Sequence, residues 1–214
     1  MKLHYNADAF SVAKVRKLKS VIAAVGAKVE DVLYKAGDDV AKVSFFNTLP
    51  LLETSEGTFF SSNTIMRYLA STHKQQLYGG DNNHQKSLID QWLDITAVDF
   101  EPAISGILYF QQGKEINLAS LQEDCNKFLA MVEKHLKNNK FLVGKGFTLA
   151  DLSLASSVSV VFSVMLGDGP RRKYSNTLTW YKSVVAAHPE CGPSDLPKEA
   201  DEAFRSKKGK KEEK

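Results

Sequence analysis

Three groups of residues have chemistry to offer. Leu49-Pro50-Leu51-Leu52-Glu53 is followed, across the turn-forming Ser55-Glu56-Gly57-Thr58, by Phe59-Phe60-Ser61-Ser62-Asn63-Thr64-Ile65-Met66-Arg67-Tyr68-Leu69-Ala70. Proline has no N–H for a ladder, so Pro50 reads as a strand start or edge position. It is either trans at an edge or cis, and a cis bond turns the neighbouring backbone groups outward to meet a ligand. A serine or asparagine just ahead of the Ile65, Tyr68, Leu69 periodicity can accept the first orphan helix amides. The second group, Thr148-Leu149-Ala150-Asp151, has capping-box spacing, in which Thr148 caps and Asp151 reaches back to the cap N–H. The same carboxylate is a candidate catalytic group, yet the box alone accounts for its position. The third group is Cys125 and Cys191, far apart, with no CxxC spacing and no companion histidine pattern. Neither a disulfide framework nor a metal site is expected, and Cys125 reads as a packed helix residue.

The elements that position these residues follow from periodicity. Residues 2–5 form a short strand; Val12, Val15, Leu18 and Ile22 recur at helical spacing, with Gly26 as the stop; Lys28 to Tyr34 is a strand. An irregular or helical piece near Asp39 to Phe46 precedes two strands and a helix. The order is β-α-β, then β-β-α, ending near Thr72. Residues 75–84 are rich in turn formers and read as a linker. Everything after them is helical: a line from Leu88 through Trp92, Ile95 and Phe100, bent by Pro102 and continuing to Tyr109; a stripe from Leu121 to Leu136; an apolar run from Leu152 to Met165 that should be buried all round; and a last amphipathic helix with Leu178, Tyr181, Val184 and Val185. Gly167-Asp168-Gly169-Pro170 should stop the apolar helix. The organisation expected is residues 1–73 as an α/β domain, 74–84 as linker, 85–204 as an all-helical domain, and 205–214 as a disordered basic tail or linker.

The chain has 214 residues, 43% of them hydrophobic, enough for a substantial core. It shows no long apolar run and no signal peptide, so a soluble cytoplasmic protein without membrane contact is expected. The formal net charge of +3 is concentrated at the end: residues 205–214 carry +4, leaving residues 1–204 at −1. A nearly neutral body argues against a globular nucleic-acid binder, although the tail can contact RNA.

The β-α-β-α-β-β-α order, the Leu49-Pro50 strand, the Ser61-Ser62 helix start, and Phe141-Leu142-Val143-Gly144 followed by Thr148-Leu149-Ala150-Asp151 together resemble the glutathione transferase fold, with a thioredoxin-like first half and a helical second half. In that family a Tyr, Ser or Cys near the end of the first strand hydrogen-bonds the glutathione sulfur and lowers its pKa. The resemblance places Phe10 at the cysteine position of such a motif and leaves Ser11 as the credible thiol partner, with helix N-capping as its alternative role. It implies a vestigial glutathione site made of Ser11, Leu49, Pro50, Ser61 and Ser62. The family's Glu or Gln before the helix serine is Ser61 here, so a charge-assisted contact is lost and glutathione, if bound, is bound weakly. No cofactor is required.

Two branches of the family are open. Leu18-Lys19-Ser20-Val21-Ile22-Ala23-Ala24 and Arg171-Arg172-Lys173-Tyr174-Ser175-Asn176-Thr177-Leu178-Thr179-Trp180-Tyr181 resemble the gamma subunit of the eukaryotic elongation factor one complex. Ser61 to Leu69 and Gln91-Trp92-Leu93 are similar to the domain appended to methionyl-tRNA synthetase. Both imply a non-catalytic assembly domain whose partners are other glutathione transferase-like domains of translation factors or aminoacyl-tRNA synthetases, or a second copy. The alternatives are a cytosolic glutathione transferase and a stand-alone redox or chaperone-like member. Two helical faces, Leu88 to Tyr109 and Arg172 to Tyr181, are the interface candidates, with Arg171, Arg172, Tyr174 and Trp180 as anchors and core packing as the other role for Trp180.

Overall fold

A strand and its parallel neighbour need a crossover, and the first helix supplies it. In the computed structural model, which describes residues 1–6, 11–35, 37–164 and 172–192, β1 (Lys2–Asn6) pairs in parallel with β2 (Glu30–Tyr34), and α1 (Ser11–Val25) connects them. Gly26, at φ 68, ends α1 in the left-handed conformation that costs glycine nothing. The sheet order is β2-β1-β3-β4; β3 (Leu51–Thr54) runs antiparallel to β1, and β4 (Gly57–Phe60) antiparallel to β3. His4 ties three strands together, its Nδ1 3.2 Å from the Tyr34 hydroxyl and its Nε2 2.9 Å from Glu53 Oε2.

The reading of Pro50 as a trans residue at an edge is corrected on both counts. The Leu49–Pro50 bond is cis, and β3 lies between β1 and β4. The strand starts at Leu51, so Pro50 stands outside the ladder and its missing N–H leaves no acceptor unpaired. The piece near Asp39 to Phe46 is a short 3-10 turn at Val40–Lys42 followed by two exposed phenylalanines.

α2 (Ser62–His73) closes the first half, and a 3-10 turn at Gln75–Tyr78 leads on. α3 (Asn83–Ile95) begins inside the turn-rich segment, capped by Asn82 Oδ1, which accepts the Gln85 amide at 3.0 Å. The long helical line does continue past Ile95: a π-helical turn at Thr96–Phe100 leads directly into α4 (Glu101–Gln111). Pro102 lacks the N–H that a continuous ladder would need, and the wide turn sits just ahead of it. α5 (Leu118–Leu136) and α6 (Leu149–Val164) follow, then α7 (Ser175–Ala187). The side chains described on α6 are buried from Leu149 to Phe162, as an apolar surface without a polar stripe requires.

α1 packs on α2 in its own half and on α6 in the other, so the two halves share one continuous core that includes Leu18, Val21, Ile65, Leu69, Ile89, Leu93, Leu154 and Val158. Among the described residues no helix is long and apolar enough to cross a membrane. The Gly167 to Pro170 stop and the basic tail lie outside the described residues.

Candidate functional site

Where the halves meet, a cleft of about 410 Å³ opens in front of the cis-proline. Leu49, Pro50, Phe60, Ser61 and Ser62 form one wall, Lys14 of α1 stands at the lip, and Ala97, Glu101 and Pro102 form the other wall. Four of the five residues expected to bind a ligand therefore come together. The fifth, Ser11, is not part of the lining; it is buried at the first position of α1, and its hydroxyl donates to Asn6 Oδ1 at 2.6 Å.

The expected capping of α2 is corrected. Ser61 occupies the N-cap position but makes no side-chain cap bond, because φ 68 turns its side chain away from the helix amides; its carbonyl instead accepts the Ile65 N–H at 3.0 Å. The first-turn amides of α2 have no intrahelical partners and face the cleft end of the helix. Ser62, 8% exposed, lines the cleft there, and its hydroxyl has no hydrogen-bond partner among the described residues. Anions are favoured at such a position by the aligned peptide dipoles.

Behind the cleft is a polar network. Lys17 is fully buried on α1; its Nζ donates to Glu101 Oε1 at 2.8 Å and to Asn63 Oδ1 at 3.1 Å. Asn63 in turn donates to the Leu93 carbonyl at 3.1 Å, and Ser157 donates to Glu101 Oε1 at 3.3 Å. Burial pushes the Lys17 ammonium down from its ordinary value, and the Glu101 carboxylate opposes that shift. α1, α2, α4 and α6 are joined at one point. Glu101 is thereby matched with a cation, whereas Lys14 is exposed and unpaired among the described residues, which leaves the cleft electropositive on balance.

Thr148 and Asp151 form the box at the start of α6: Asp151 Oδ2 accepts the Thr148 N–H at 3.0 Å and its hydroxyl at 3.1 Å. Oδ1 accepts the Leu142 N–H at 3.0 Å and Trp180 Nε1 at 2.9 Å. Four donors from three segments converge on this carboxylate. Burial still pushes its pKa up against them. It is fully buried and lines no part of the cleft, so a catalytic role there is ruled out by position.

The proposed anchors of the last helical face are corrected as well. Tyr174 is 1% exposed, with its hydroxyl on Asn126 Oδ1 at 2.8 Å, and Trp180 is 4% exposed beneath Asp151. Both are core residues because α7 lies against α5 and α6. Arg171 and the Arg172 side chain lie outside what the structure describes. On the other face, Leu88, Val98 and Tyr109 are exposed.

Sequence reasoning missed two features. The Lys17 network joins residues 84 positions apart and leaves no local signal. Glu133, near the end of α5, accepts the Asn176 and Thr177 amides at 3.0 and 2.8 Å and thereby caps α7. Burial raises its pKa, but these two amides and the side chains of the same residues more than offset that and hold it below the ordinary carboxylate range. Cys125 and Cys191 are free and buried, with thiols pushed up to about 12 and about 11, which keeps them protonated and unreactive near neutrality. Among the described residues no cluster of three or more His, Cys, Asp or Glu side chains is placed to hold a metal.

Residues 90–188 match the family described as glutathione S-transferase, C-terminal domain. The chain is 31% identical over 121 residues to elongation factor 1-gamma 3 of Oryza sativa subsp. japonica, an alignment covering 55% of this chain and 29% of that protein. It is 29% identical over 191 residues to glutathione S-transferase-like protein FUS3 of Gibberella moniliformis, covering 84% of each. The chain spans about a third of the length of the elongation factor 1-gamma relatives it matches. In shape it is similar to a delta-class glutathione transferase of Nilaparvata lugens, with a TM-score of 0.77 at 22% identity over 96% of both chains.

Proposed function

With a glutathione transferase fold, a second half that matches the family's C-terminal domain, and relatives among elongation factor 1-gamma proteins, we propose that this chain is a non-catalytic protein-protein assembly domain of the translation machinery. The observation that carries the reading is the Ser11 hydroxyl. A serine has one proton to donate, and here it is committed to Asn6 Oδ1, not to a sulfur in the cleft. Without that donor a bound thiol keeps its ordinary pKa, and little thiolate forms at neutral pH. The partners of this reading are glutathione transferase-like domains of translation factors or aminoacyl-tRNA synthetases, in the cytoplasm, with the apolar face from Leu88 to Tyr109 as contact surface. Co-purification from a cytosolic extract tests it, comparing residues 1–204 with the tail alone. Translation proteins should follow the body; capture by the tail alone would mean electrostatic association with RNA or ribosomes.

A second reading, a glutathione transferase that conjugates glutathione to electrophiles, is favoured by one observation: the unpartnered, buried Ser62 hydroxyl beside the cis-proline is suited to a carboxylate. A conjugation assay with a standard electrophile separates the two. Turnover that disappears in Ser11→Ala would establish the enzyme.

A further inference from the structure

Three phenylalanines stand at the mouth of the cleft where solvent should be met by polar side chains. Phe45 is 95% exposed, Phe46 55% and Phe60 49%. Their rings touch in sequence, Phe45 to Phe46 at 5.0 Å between centroids and Phe46 to Phe60 at 4.7 Å, so they form one shelf. Phe60 also lines the cleft, which makes shelf and cleft continuous. An exposed aromatic cluster of this kind marks a binding surface more often than an accident of packing.

From this arrangement we propose that the cleft and shelf together bind the C-terminal end of a polypeptide whose last residue is large and apolar. This deepens the assembly reading, on which it rests, by naming what the cleft takes from a partner. Ser62, 8% exposed and without a hydrogen-bond partner among the described residues, the open first-turn amides of α2 and the unpaired Lys14 ammonium supply an anion subsite. Phe60 precedes Ser62 by two residues, a separation of no more than about 7 Å along the chain. That is the reach of a single amino acid from its α-carboxylate to the tip of a large side chain. A terminal residue can therefore place its carboxylate at Ser62 and its side chain on Phe60 and Phe46 at once, while the preceding backbone runs past Leu49 and Pro50. Capture of a terminal carboxylate by backbone amides, with a neighbouring apolar pocket for the side chain, is a known recognition mode. An internal segment lacks the charge, and a ligand without an apolar terminal side chain leaves the shelf in water.

The test uses the full chain and three N-terminally labelled pentapeptides: one ending in phenylalanine with a free carboxylate, the same peptide as its C-terminal amide, and one ending in glycine with a free carboxylate. The free phenylalanine peptide should bind, and both others should bind roughly tenfold or more weakly. Phe46→Ser and Phe60→Ser, both at exposed positions where folding should survive, should weaken the phenylalanine peptide while leaving the glycine peptide unchanged. Ser62→Ala and Lys14→Gln should weaken both free acids. Equal binding of acid and amide, no preference for phenylalanine, or indifference to both shelf variants would overturn the proposal. Partner capture from extract that persists in Phe46→Ser and Phe60→Ser would reject this site while leaving the assembly reading intact.

Discussion

Lys17 on α1 and Glu101 on α4 form a buried ion pair, Nζ to Oε1 at 2.8 Å, that links the sheet-bearing half to the helical half beside the cleft. Removing one member should cost more than the pair contributes, because the ammonium left behind stays buried. Glu101→Ala should lose roughly 3–5 kcal/mol, read from urea unfolding, and Lys17→Met with Glu101→Gln should recover most of it. The sign with pH follows from the lowered Lys17 pKa. Between that folded value and the ordinary 10.5 the unfolded chain holds the proton that the folded chain has lost, so stability rises with pH across that window. The rise should be steeper in Glu101→Ala. A single variant as stable as the parent would remove the pair from any role in holding the halves together.

Glu133 gives a dependence at acid pH. Its carboxylate is held below the ordinary value of 4.5, so its contribution is fully present above that value and disappears as pH falls through the folded pKa. Glu133→Gln should flatten the acid limb of a stability profile measured by denaturant midpoint. Glu133→Ala should lose about 1–2 kcal/mol at pH 7 through uncapping of α7. Parallel profiles for parent and Glu133→Gln would contradict the assignment.

Asp151 accepts four hydrogen bonds at full burial, and Asp151→Ala would leave the Leu142 amide, the Thr148 amide and the Trp180 indole unsatisfied. A loss of roughly 3 kcal/mol or more is expected, with Trp180→Phe smaller at about 1–3 kcal/mol. Thermal unfolding followed by near-ultraviolet circular dichroism reads both. Stability within 0.5 kcal/mol of the parent, roughly the surface-substitution level, would be the contrary result.

Ser11→Ala removes the bond to Asn6 Oδ1 and should cost about 0.5–1.5 kcal/mol. Glutathione conjugation measured beside it should not change specifically. A loss of turnover far beyond the loss of folded protein is the outcome that favours the enzyme.

The order of elements was legible in the sequence because each depends on its own few residues. Apolar spacing marked α1, α5 and the all-round burial of α6, Gly26 marked the end of α1, and Thr148 with Asp151 marked the start of α6. The cleft was legible in part, since Leu49, Pro50, Ser61 and Ser62 are close in the chain. What pairs across the chain was not. Whether Pro50 lay at an edge depended on β3 being inserted between β1 and β4, and the burial of Tyr174 and Trp180 depended on α7 lying against α5 and α6. Lys17 looked like any helix lysine until Glu101, 84 residues on, faced it. Phe45, Phe46 and Phe60 read as core until the fold left them at the cleft mouth. Periodicity and capping are properties of a local backbone, whereas burial, partner and charge balance belong to a side chain only when distant elements have been brought against it.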